Sequence, residues 1–243
     1  MPRNAQWTQL PTFGGAGELH SHRPMIIGFT GIDGAGKTWH ARTLMNLLRE
    51  RGLDCKYVWL RFSNVLLLPV LGTARLMGWT ITWTHEGREF SQPRVKGRIA
   101  VGAFMFLHTS DYLLAFLFRV QLPKVFGKTV IVDRCIVDAL ADMEVATGVP
   151  GIERTFFGGA LLRLLRACDH VFALEVDRPV LLERRPEHRG DPSVDQRLSV
   201  YRRLFDSIGM TVIDTRGALD EASNMVLGTI GPLLTGETRG GSQ

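Results

Sequence analysis

Gly31-Ile-Asp-Gly-Ala-Gly-Lys-Thr38 is the stretch that sets the architecture of this chain. Its glycines let the backbone wrap closely around a phosphate chain with N–H groups turned inward. Lys37 has the reach to contact β- and γ-phosphates, and the Thr38 hydroxyl suits Mg²⁺. The flanks supply the context such a loop requires. Met25-Ile-Ile-Gly-Phe-Thr30 is a short apolar run after Pro24, which predicts a buried strand. After Lys37, apolar residues at Ala41, Leu44, Met45 and Leu48 predict a helix ending near Gly52. Strand, glycine loop and helix make Gly31, Ile32, Asp33, Gly34, Ala35, Gly36, Lys37 and Thr38 a candidate nucleotide site, with ATP and Mg²⁺ as the expected ligands. A chance match in a glycine-rich turn is the plainer alternative.

Working outward, four further strands are expected: Lys56–Leu60, Lys128–Asp133, His170–Val176 and Met210–Ile213. Helices are expected at Leu161–Ala167, Pro179–Arg185, Asp195–Phe205 and Leu219–Leu234. Strands alternating with helices imply a parallel sheet covered on both faces. The expected fold class is α/β, a P-loop NTPase three-layer sandwich with a five-stranded parallel sheet flanked by helices. Neither an internal repeat nor a linker divides it. The expected organisation is a flexible tail over 1–23, one domain over 24–234, and a second flexible tail over 235–243.

Two apolar stretches, Val65–Trp83 and Ile99–Leu122, approach membrane-spanning length. Pro69, Gly72, Gly78 and Arg75 interrupt the first, and His108, Asp111 and Arg119 sit in the second. A central charge is costly in lipid, so both are expected to be core helices covering the sheet. A role at a membrane surface stays open.

The bulk numbers set the partner classes. The 243 residues carry a net charge of +5, with 45% hydrophobic and 22% charged residues. Such a charge suits an anionic partner, but no dense basic run with interleaved aromatics points to nucleic acid. A phosphate-bearing small molecule is expected instead. Cys55, Cys135 and Cys168 are sparse and unpaired in spacing, which fits a cytoplasmic protein.

Two more features carry chemistry. Asp133 closes the apolar strand Thr129-Val-Ile-Val-Asp133, where a carboxylate near a phosphate loop holds metal directly or through water; a strand-end cap or a partner for Arg134 is the alternative. Arg184, Arg185, His188 and Arg189, with Gly190 and Pro192 beside them, suit a mobile lid over about 184–192 whose arginines close on a moving phosphoryl group. A solvated helix end is the alternative there. Asp33 lies within the loop itself, where an acid either faces Mg²⁺ or a substrate hydroxyl, or forms a turn.

Four segments resemble the thymidylate kinases, within the nucleoside monophosphate kinases: Phe29–Thr38 with its loop acid, Gly127–Arg134 with its Asp-Arg pair, Asp169–Asp177 running on to Glu183-Arg-Arg185, and Val212–Thr215. Their order is kept from residue 25 to about 234. The resemblance implies phosphoryl transfer from Mg·ATP to a nucleoside monophosphate, most readily dTMP, with another nucleotide or a sugar phosphate as the alternative acceptor. A non-catalytic, membrane-peripheral nucleotide-binding module is the non-enzyme alternative. The resemblance further implies that Asp33 meets the acceptor sugar or its water, Arg134 and Arg61 hold the acceptor phosphate, Asp133 and Thr38 position metal, and Arg184, Arg185 or Arg189 stabilises transfer. Homodimerisation and peripheral membrane contact are left open. The chain departs from that pattern on the acceptor side. Arg61-Phe62-Ser63 stands where the family has Arg-Glu-Pro, and no base-reading arginine occurs near Asp111 or Tyr112.

Overall fold

The computed structural model describes residues 23–60, 68–217 and 224–231. Five strands form one parallel sheet: β1 (Ile26–Thr30), β2 (Cys55–Trp59), β5 (Thr129–Asp133), β6 (His170–Glu175) and β7 (Val212–Asp214), in the order β2-β5-β1-β6-β7. Every residue of β1 and β5 is buried. Strands covered on both faces need continuous apolar runs, which is what Ile26-Ile-Gly-Phe-Thr30 and Thr129-Val-Ile-Val-Asp133 provide. Each fully buried Ile, Val or Phe there contributes about 1.5–3 kcal/mol. Gly28 keeps the sheet close to its helical cover, because a Cβ on it would lie 2.8 Å from Cys135 Sγ.

The sheet is flanked by α1 (Lys37–Glu50), α3 (Arg98–Phe116), α5 (Ile136–Thr147), α6 (Phe156–Arg163), α7 (Arg178–Arg184) and α8 (Val194–Ile208), with a last helix over 224–231. The expected parallel sandwich is therefore the observed one. The helix expected over Ile99–Leu122 runs from Arg98 through a π turn, Leu117–Gln121, to α4 (Leu122–Val125). Pro123 has no N–H for the helical ladder, and the wide turn lies just before it. α5 was not anticipated; ten of its twelve residues are buried, so it carries no polar stripe.

One expectation fails. Val65–Trp83 is not a helix covering the sheet. Residues 61–67 are outside the described part, α2 spans only Leu68–Leu76, and the chain then enters an antiparallel hairpin, β3 (Thr80–His85) with β4 (Arg88–Pro93). Thr80-Ile-Thr-Trp-Thr84 is rich in β-branched and aromatic residues, which favours extended backbone. Glu86 and Gly87 both have positive φ, 48° and 73°, as a two-residue hairpin turn demands. The tails expected over 1–23 and 235–243 fall, apart from Arg23, outside the described residues, as does Arg61.

Register places the candidate segments together. Phe29 of β1 and Trp59 of β2 both pair with Asp133 of β5. The loop after β1, the Asp-Arg pair after β5 and the end of β2 thus emerge side by side at the carboxyl edge, where open α/β sheets gather ligands.

Candidate active site

The loop from Gly31 to Gly36 is fixed by sterics. Gly31 has φ 146°, and a Cβ on it would stand 2.2 Å from the Leu174 carbonyl oxygen. Gly36 caps α1 in the left-handed region at φ 85°. The helix begins at Lys37, so its N-terminal dipole and free amides face the loop. Lys37 is buried. Its Nζ donates to the carbonyls of Gly31 (2.5 Å) and Ile32 (2.8 Å), with Asp33 at 3.7 Å and Asp138 at 3.9 Å. Burial first, and then the neighbouring Arg134, hold its pKa below the ordinary lysine value.

Asp133 is fully buried at the end of β5. Its Oδ2 accepts hydrogen bonds from Thr38 Oγ1 (2.6 Å) and Tyr57 Oη (2.7 Å), while its Oδ1 is buried without a protein partner. A carboxylate with one oxygen anchored and the other unsatisfied beside a threonine hydroxyl fits a hard cation. Among the described residues no group of three or more His, Cys, Asp or Glu forms a protein-only metal cage. A Mg²⁺ held by Thr38, Asp133 and phosphate oxygens needs none. Burial, followed by the bond to Asp133, pushes the Tyr57 hydroxyl up to about 12, so it stays a donor.

Arg134 turns away from Asp133. Its backbone is left-handed, at φ 66°, a conformation uncommon outside glycine and often found at functional sites. The turn sends its guanidinium onto the Asp33 carboxylate, with Asp138 at 3.9 Å. Asp138, on the first turn of α5, accepts from Tyr201 Oη (2.9 Å) and from the Cys135 amide (3.0 Å). Burial raises its pKa, against the pull of Lys37 and Arg134. Lys37, Asp33, Arg134 and Asp138 therefore form one alternating charge network. Asp138, Tyr57 and Tyr201 are site residues that the sequence did not disclose. Asp138 lies one helical turn past Arg134, the one hint available.

A cavity of about 330 Å³ opens beside this network. Asp33, Arg134 and Asp138 line it, α3 contributes Phe104, His108 and Tyr112, and the hairpin contributes Trp83, Phe90 and Gln92. Tyr112 sits where a base-reading arginine was missed, and its buried hydroxyl has no protein partner. A guanidinium arrives from elsewhere: Arg197 of α8 lines the cavity and donates to Gln92 Oε1, which also lies 3.1 Å from Ser193 Oγ. With that oxygen engaged, the Gln92 amide N–H₂ remains for the cavity. Arg197 Nε is likewise buried and unpartnered. Both groups are donors.

The three arginines of the expected lid separate. Arg184, half-buried at the end of α7, donates to the Gly34 carbonyl (3.2 Å) and the Thr215 carbonyl (2.7 Å), so it braces the glycine loop. Arg185 packs its stem on the same glycine, 3.3 Å from where a Cβ would be; its guanidinium is exposed and lies 3.4 Å from the Glu187 carboxylate. Arg189 is exposed on the following 3₁₀ turn, Pro186–Gly190. That turn is docked on the hairpin, where Trp83 Nε1 donates to the Glu187 carbonyl (3.0 Å).

No protein-family model matches the sequence, and no curated protein matches it. The fold does match solved structures. A thymidylate kinase from Candida albicans, described as having broad substrate specificity and a novel structural element, superposes with a TM-score of 0.57 at 15% identity, over 86% of this chain and 91% of that one. The chain thus has a thymidylate kinase-like fold.

Proposed function

We propose that the protein transfers the γ-phosphoryl group of ATP to a nucleoside monophosphate, with dTMP the first acceptor to test. One observation carries this above the others: the phosphate loop and the cavity share a wall. Asp33 belongs to both, and Arg134, which lines the cavity, is paired with it, so a donor on the loop and an acceptor in the cavity would meet at Arg134. Lys37 and the α1 amides would bind the donor phosphates, and Thr38 with Asp133 would hold Mg²⁺, which neutralises phosphate charge when bound. Arg134 would grip the acceptor phosphate bidentately, a geometry lysine lacks. Asp33 would keep that guanidinium aimed. Arg61, which follows β2, is proposed as a second grip. Catalysis would consist of positioning and charge neutralisation, with little covalent work for the protein.

The cavity's lining suits a ring bearing carbonyl oxygens. Trp83, Phe90 and Phe104 offer apolar faces, while Gln92 and Arg197 offer N–H donors. Thymine and uracil present acceptors to such donors, and cytosine presents an amino donor in place of one of them. Another phosphorylated acceptor is the second reading, favoured by the altered Arg61-Phe62-Ser63 segment. Steady-state assays with dTMP, dUMP, dCMP, dGMP and sugar phosphates decide between them. Turnover with dTMP or dUMP exceeding dCMP is expected, and Lys37→Ala should abolish it in a folded protein. Transfer to sugar phosphates alone would replace the nucleotide reading. No transfer to any acceptor, with ATP bound, would refute the kinase assignment.

A further inference from the structure

The β3–β4 hairpin does more than wall the cavity. Its register sets Ile81 opposite Gln92 and Trp83 opposite Phe90, so these four side chains share one face. The Trp83 and Phe90 rings stack at 5.8 Å, and Trp83, Phe90 and Gln92 all line the cavity. Thr82, Thr84 and Glu89, on the other face, are exposed. A two-stranded ribbon is marginal by itself and needs something to lie against. This one holds the segment after α7 at two points. From β3, Trp83 Nε1 donates to the Glu187 carbonyl (3.0 Å), and its ring lies 6.4 Å from that of His188. Gly190 passes so close that a Cβ on it would stand 3.5 Å from the Thr84 carbonyl oxygen. From β4, Gln92 Oε1 accepts from Arg197 and lies 3.1 Å from Ser193 Oγ. Between the two points, buried Asp191 accepts from the Ser193 amide (2.8 Å) and faces His188 Nδ1 at 3.4 Å.

The first of these holds reaches an arginine. Glu187 gives its backbone carbonyl to the indole and its carboxylate to Arg185, 3.4 Å away. Arg185 is the arginine whose guanidinium is exposed and whose stem packs on Gly34. One residue therefore joins the cavity wall to the arginine on the glycine loop. A side chain that only walled the cavity could be any large apolar group. An indole N–H placed on a carbonyl of the turn is what makes tryptophan matter here. We infer that Trp83 is a positioning residue: through Glu187 it fixes the turn Pro186–Gly190 against the hairpin and so sets where Arg185 stands over the glycine loop. This role rests on the phosphoryl transfer proposed above, in which Arg185 meets the moving group. The hold on the turn is measurable without turnover.

Trp83→Phe keeps an aromatic wall and removes the donor. Its stack on Phe90 is retained, so the melting transition should be preserved. Trypsin cleavage after Arg189, which is exposed and followed by glycine, reports how often the turn leaves the hairpin. On the full chain without nucleotide, mass spectrometry should show that cleavage accelerated by about tenfold in Trp83→Phe, the effect of one hydrogen bond. Glu187→Gln keeps the carbonyl that the indole grips and loses only an exposed ion pair, so it should be cut after Arg189 at the parental rate. With ATP and dTMP, Trp83→Phe should lower kcat by about tenfold, as a misplaced transfer group would, with a smaller change in the KM for dTMP. Parental cleavage in Trp83→Phe overturns the inference, as does equal acceleration in both variants. A raised KM for dTMP with parental kcat also overturns it and leaves Trp83 as cavity wall. A parent protein that transfers phosphate to no acceptor refutes the kinase reading instead, and the cleavage rates then decide by themselves whether Trp83 holds the turn.

Discussion

Arg184 and Arg185 are neighbours in sequence and are expected to fail in opposite ways. Arg184 makes two charge-assisted hydrogen bonds to backbone carbonyls, Gly34 on the phosphate loop and Thr215 after β7. Such bonds contribute about 1.5–3 kcal/mol each when well buried. The group is only half-buried, so Arg184→Ala should destabilise the fold by roughly 2–4 kcal/mol for the pair. In a chain of this size that corresponds to a fall in Tm on the order of 10 °C. Arg185 has no comparable anchor. Its exposed guanidinium hangs from a stem packed on Gly34 and lies 3.4 Å from Glu187, which lines the cavity. Arg185→Ala should leave stability within about 0.5 kcal/mol of the parent. If Arg185 meets the moving phosphoryl group, its kcat should fall on the order of a thousandfold, with a smaller change in the KM for ATP. Thermal unfolding and steady-state kinetics on the two variants separate the roles. An Arg184→Ala protein that melts like the parent, or an Arg185→Ala protein with parental kcat, would refute the division of labour.

Arg197→Met should raise the KM for a carbonyl-bearing acceptor by about ten- to a hundredfold, the cost of one charged hydrogen bond, while leaving the KM for ATP unchanged; an equal rise in both would show a folding effect instead. His40 is buried against Phe29 and Trp39, and burial, aided by Arg184, lowers its pKa to about 4. Because the folded form resists protonation, its contribution to stability is present above about pH 6.5 and is lost as the pH falls towards 4, by up to about 3 kcal/mol. Urea unfolding should therefore show His40→Leu to be less acid-sensitive than the parent between about pH 7 and pH 4.5; parallel pH profiles would count against it.

The sheet was legible because its strands are covered on both faces and read as unbroken apolar runs ending at turn residues. The glycine loop between β1 and α1 was legible for a different reason: its pattern is local, packed into eight consecutive residues. The rest of the site is assembled across the chain. Tyr57 reaches Asp133 from a neighbouring strand, and Arg197 reaches Gln92 from a helix far downstream, so no local pattern could announce either. α5 was hidden because a helix buried all round has no amphipathic period. The hairpin was hidden because Ile81 and Trp83 extend an apolar run that began as a helix, although the alternation with Thr80, Thr82 and Thr84 was a usable signal. The arginine cluster was visible as a cluster, but which member braces the loop and which is exposed depends on how α7 meets Gly34.

The backbone of Arg134 has a consequence for anyone who would stabilise this protein. A side-chain-bearing residue in the left-handed region costs about 1–2 kcal/mol that glycine would not incur. Glycine at that position would relax the turn after β5 and free Asp33 from its partner. A choice made on backbone comfort alone would therefore discard a guanidinium that lines the cavity and leave Asp33 without that partner. Consensus or computational stabilisation of this chain should hold position 134 fixed, because there the most comfortable residue for the backbone removes the charge that answers Asp33.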